Sequence, residues 1–108
     1  MQQPADVWVE VAKVASIPPQ GMRVLLGEEE VLLVRKGDEV YAIGYLCSHQ
    51  DMELEGGHTE GESWVCPHHG ARFSLVTGEA LSMPAVEPVA HYDVEVREGG
   101  VFLKEPQP

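Results

Sequence analysis

The sequence predicts an all-β protein: an antiparallel sandwich or barrel-like base interrupted by one loop-rich insertion. Short apolar-rich runs recur between turn clusters, as strands do. No stretch holds a helical period for more than about two turns. One segment, residues 44–83, abandons the strand pattern and is rich in Gly, His, Cys and acidic side chains. A chain of 108 residues makes a single domain with a thin core.

The elements follow in order. Residues 7–11, Val-Trp-Val-Glu-Val, alternate or nearly so, as a half-buried strand should. Residues 16–21 form a turn, because Pro18 and Pro19 forbid helix interior and central strand alike. Runs 22–26 and 30–35 flank Gly27-Glu28-Glu29 as a hairpin, and the turn 36–39 returns the chain through 40–43. Residues 91–97 set Tyr92, Val94 and Val96 against Asp93, Glu95 and Arg97, and Glu98-Gly99-Gly100 turns them into 101–103. Within the insertion, Trp64-Val65 and 73–75 read as short strands, 76–79 as a turn, and the proline-rich 83–88 as an extended return. The base thus comprises residues 1–43 and 84–108, and the insertion about 44–83. A structureless insertion of that length carries function or a metal.

Charge narrows the function. Eighteen acidic and seven basic residues give a net charge of −11. Nucleic-acid binding needs a basic face to displace counterions, and a membrane surface needs a polybasic patch; neither exists here. No apolar run approaches a membrane span, and residues 1–6 show neither the basic nor the apolar part of a secretion signal, so a cytoplasmic location is expected.

The chemistry lies in two short motifs, Cys47-Ser48-His49 and Cys66-Pro67-His68-His69, with sixteen residues between His49 and Cys66. Each offers one thiolate and one imidazole, and two such loops facing each other make a four-ligand S₂N₂ site. Zinc accepts that set, but zinc fingers place both cysteines first and both histidines on a following helix. Here the order is Cys-His twice, with no helix. The other occupant is a [2Fe–2S] cluster with two thiolates on one iron and two imidazoles on the other.

C-x-H followed by C-x-x-H inside an all-β domain of this size resembles the Rieske-type ferredoxin family, and the flanking hairpins extend the resemblance over nearly the whole chain. It implies Cys47 and Cys66 on an inner iron, and His49 and His69 on an outer iron near the surface. It also implies one [2Fe–2S] cluster per chain and no catalysis of its own: a one-electron carrier between a flavin-dependent reductase and a terminal oxygenase. A small accessory subunit of a nitrite reductase of the NAD(P)H-dependent type is the other family role, and a structural zinc domain stands outside the family. High-potential members carry an extra cysteine in each loop, where this chain has Met52 and His68, and a serine hydroxyl where it has Ala71. No disulfide between the loops and a low potential, toward the roughly −150 mV end of the Rieske range, are therefore expected.

Other residues receive plainer readings. His68, His58 and His91 are expected at the surface, and Trp8 and Trp64 in the core. Pro67 stiffens the second loop, and Gly70 lets backbone N–H groups approach cluster sulfurs. Residues 44–83 hold six acidic side chains, Asp51, Glu53, Glu55, Glu60, Glu62 and Glu79, against one basic, Arg72. They read as a solvated acidic face or, functionally, as a docking rim for basic patches on redox partners.

Overall fold

In the computed structural model, the described residues are 7–47, 52–68, 70–83 and 87–104. Among the described residues, ten strands appear in chain order: β1 (Trp8–Lys13), β2 (Met22–Leu26), β3 (Glu29–Lys36), β4 (Glu39–Gly44), β5 (His58–Glu60), β6 (Ser63–Val65), β7 (Arg72–Ser74), β8 (His91–Tyr92), β9 (Val94–Arg97) and β10 (Gly100–Lys104). The only helical element among the described residues is a 3₁₀ turn, Val14–Ser16, just before the proline cluster. The all-β expectation holds.

The strands make three antiparallel sheets, ordered β1-β10-β9, β2-β3-β4-β8 and β5-β6-β7. The second is the middle layer, and β3 shows why. Its run Val31-Leu32-Leu33-Val34 is buried throughout, at most 1% exposed. Because side chains alternate along a strand, Val31 and Leu33 enter a core with Val101 and Leu103 of β10, whereas Leu32 and Val34 enter another with Trp64 and Phe73 of the third sheet. A continuous apolar run is what a strand covered on both faces requires. In β4, Ala42 and Ile43 divide between the same two cores.

Two-residue turns close the hairpins. Gly27-Glu28, Gly37-Asp38 and Gly61-Glu62 each place a glycine with φ near 60° first, the mirror-image geometry that matches strand twist. The β9–β10 turn uses Glu98 and Gly99, both at positive φ.

Three expectations need correction. Residues 91–97 are not one strand: His91 and Tyr92 pair with β4, and from Val94 onward the chain pairs with β10. The break at Asp93 carries the chain from the middle sheet to the first. The alternation there does not translate into burial either, since Val96 is 44% exposed. Trp8 is only partly buried and stacks against the Arg97 guanidinium at 5.9 Å, instead of entering the core. The imperfect alternation in β1 reflects a bulge at Val11, between the pairs Glu10–Phe102 and Ala12–Val101.

Candidate metal centre

Two loops of the same construction meet at the second core. In the first, Leu46 bridges antiparallel to Glu53 and the Cys47 N–H donates to the Met52 carbonyl at 2.8 Å. In the second, Val65 pairs with Arg72 and the Cys66 N–H donates to the Ala71 carbonyl at 2.7 Å. In both, the residue before the cysteine pairs with the residue seven positions on, and the cysteine closes four loop residues. The second loop is tightened by Gly70, whose N–H donates to the Cys66 carbonyl at 3.1 Å with φ at 74°.

Cys47 and Cys66 are 4% and 3% exposed, and no disulfide joins them. They share one core with Tyr45, Leu54, Trp64, Ala71 and Phe73. Ala71, where the high-potential class has a hydroxyl, is fully buried. Two buried thiolates are costly unless a cation offsets them, and the 2+ charge of an oxidised [2Fe–2S] core does so. The donor set fits such a cluster. His49 and His69 lie outside the described residues, and among the described residues no three His, Cys, Asp or Glu side chains stand together as a metal site.

The segment after the first loop holds both loops. The Tyr45 hydroxyl donates to Glu55 at 2.8 Å, and the Trp64 indole N–H donates to the Leu54 carbonyl at 2.7 Å. Burial first, then Glu55, pushes the Tyr45 phenol up to about 12. These contacts were not legible as functional. The available signal was an aromatic residue two positions before each cysteine.

The described surface of segment 44–83 is acidic and partly apolar. Glu53, Glu60, Glu62 and Glu79 are exposed and Glu55 is half-buried. Arg72 pairs with Glu60 at 2.6 Å, and Glu60 also meets His58 at 3.1 Å. The His58 hydrogen bond, then Arg72, holds the Glu60 carboxyl below its usual range. Asp51 lies outside the described residues. His68, His58 and His91 are exposed, as expected, and Trp64 is fully buried. Leu46, Met52, Leu81 and Met83 are exposed apolar side chains, with Met83 at 75%.

Comparison with known proteins agrees with this geometry. Residues 7–93 match the Rieske [2Fe-2S] domain, and the chain belongs to that family. It is 37% identical over 91 residues to the 3-phenylpropionate/cinnamic acid dioxygenase ferredoxin subunit of Shigella flexneri serotype 5b (strain 8401), covering 82% of this chain and 86% of that one. A chain in a solved complex of reduced oxygenase and oxidized ferredoxin in carbazole 1,9a-dioxygenase superimposes with a TM-score of 0.80 at 32% identity, covering 94% of this chain and 96% of that one. The fold extends to a Mycobacterium tuberculosis chain assigned as the small subunit of an NADH-dependent nitrite reductase, at TM-score 0.84, 24% identity, and 97% and 100% coverage. The chain is thus a Rieske ferredoxin, an electron carrier with a [2Fe–2S] cluster as its cofactor and no catalytic role of its own. Among the described residues, no helix is long and apolar enough to cross a membrane.

Proposed function

We propose that Cys47 and Cys66 bind the inner iron of the cluster and His49 and His69 the outer iron. The carrier takes single electrons from a flavin-dependent reductase and delivers them to a terminal oxygenase in the cytoplasm. The observation that carries the ligand assignment is the matched construction of the two loops, each opening on a buried cysteine. A ligand-bearing subdomain of about 44–83 on a base of 1–43 and 84–108 accords with it. The oxygenase as acceptor is supported by the dioxygenase relatives, and the docking face by the exposed Leu46, Met52, Leu81 and Met83, with acidic Glu53 bridged to Leu46. Such a face suits a partner with an apolar patch flanked by basic side chains.

Charge explains the ligand choice. With two thiolates and two neutral imidazoles, the oxidised site is near neutral and one electron takes it to −1. Four thiolates would make that step −2 to −3, which is harder. The test is substitution within the second motif. His69→Ala should abolish or remodel the visible and EPR spectra, and His68→Ala should leave them intact. The reverse pattern would give the ligand role to His68 and overturn the assignment.

A further inference from the structure

We propose that segment 54–57 is a shared footing that sets the separation of the two cysteine loops, with Tyr45 and Trp64 as the struts that reach it. The proposal rests on Cys47 and Cys66 both binding the cluster. With no disulfide between them, the loops need another device to fix how far apart the thiolates stand.

The struts are equivalent in sequence: Tyr45 precedes Cys47 by two residues, and Trp64 precedes Cys66 by two. They land on neighbours, Tyr45 Oη on Glu55 Oε1 at 2.8 Å and Trp64 Nε1 on the Leu54 carbonyl at 2.7 Å. The footing is itself fixed. Leu54 is fully buried, its N–H donates to the Tyr45 carbonyl at 2.8 Å, and the Gly56 N–H donates to the Gln20 carbonyl of the base at 2.9 Å.

The approach of the footing to the second loop is close. A Cβ at Gly57 would strike the Val65 carbonyl and stand 3.0 Å from Trp64 Nε1. Only glycine lets this backbone pass so near the strand that leads into Cys66. The far edge of the Trp64 ring faces Gly21 of the base, where an added Cβ would lie 3.4 Å away. Trp64 therefore spans from the base to the footing beneath the second loop. Tyr45 and Trp64 are positioning residues: neither is a ligand, and each acts through the backbone of its own loop. Outer contacts of this kind orient ligands and tune a metal site.

The experiment uses the loaded full chain and reads iron release to excess chelator, the reduced-state EPR spectrum and the far-UV CD melt. Tyr45→Phe and Trp64→Phe each remove one donor and keep a ring. Each should speed iron release about tenfold, the factor one ordinary buried hydrogen bond makes, and shift the EPR g values. Because both struts hold one footing, the double variant should be slower than the product of the single effects predicts. Glu55→Gln keeps an acceptor for Tyr45 and should release iron at the parental rate, whereas Glu55→Leu should match Tyr45→Phe. If Trp64→Phe fails to fold, the Tyr45 and Glu55 variants carry the test. Parental release and g values in Tyr45→Phe, or fully multiplicative effects in the double variant, would overturn the shared footing. Cys66→Ser should lose the cluster; retention would overturn the ligand reading and the footing with it.

Discussion

Ala71 is a methyl group at a place where chemistry is decided. It is fully buried in the core that holds both cysteines, and its carbonyl accepts the Cys66 N–H. A methyl group offers no hydrogen bond to cluster sulfur, which leaves the reduced, more negative state less stabilised. Ala71→Ser should raise the midpoint potential in film voltammetry by about 60 mV, the shift of about 1.4 kcal/mol in a one-electron couple. An unchanged or lowered potential would show that the hydroxyl does not reach sulfur. At this scale the two candidate motifs could be picked out because both are local: Cys-x-His and Cys-x-x-His need no fold to be seen. Tyr45 and Trp64 were not, because their meaning depends on segment 54–57 lying between two loops. Trp8 was misread because a tryptophan in an alternating strand looks the same whether it faces the core or an arginine.

Among the elements, turn chemistry was easy to read and sheet membership was not. Gly27-Glu28 and Gly37-Asp38 announce hairpins, and Glu98-Gly99 announces the last one. The last turn carries strain, however, because Glu98 sits exposed at φ 47° with a Cβ. A non-glycine residue pays roughly 1 kcal/mol for that conformation, and asparagine pays less. Glu98→Asn should therefore raise the thermal midpoint, by up to about 4–8 °C if the full 1 kcal/mol is recovered. A lowered midpoint would contradict a purely backbone cost. The break at Asp93 escaped the sequence reading because the pattern of apolar and polar residues runs through it unbroken. What changes there is the pairing partner, from β4 to β10. The strand β5 was also missed: its three residues, His58, Thr59 and Glu60, are polar and follow two glycines, so pairing with β6 defines it and no apolar period does.

At the scale of the molecule, the net charge of −11 and the acidic side chains near the loops bear on encounter more than on fold. The reduction rate of a terminal oxygenase by this carrier should fall severalfold between about 0.1 M and 1 M salt, as the screening length shrinks from about 10 Å to about 3 Å. A rate independent of salt, measured by stopped flow, would leave docking to the apolar side chains alone. The all-β class was legible from strand-length apolar runs, and the three-layer order was foreshadowed only by the unbroken run 31–34. The measurement that bears most directly on the whole account is the visible and reduced-state EPR spectrum of anaerobically purified protein, with iron and sulfide counted. The account predicts a red-brown protein with about two irons, about two sulfides and a Rieske-type signal. A colourless protein holding one zinc would contradict it.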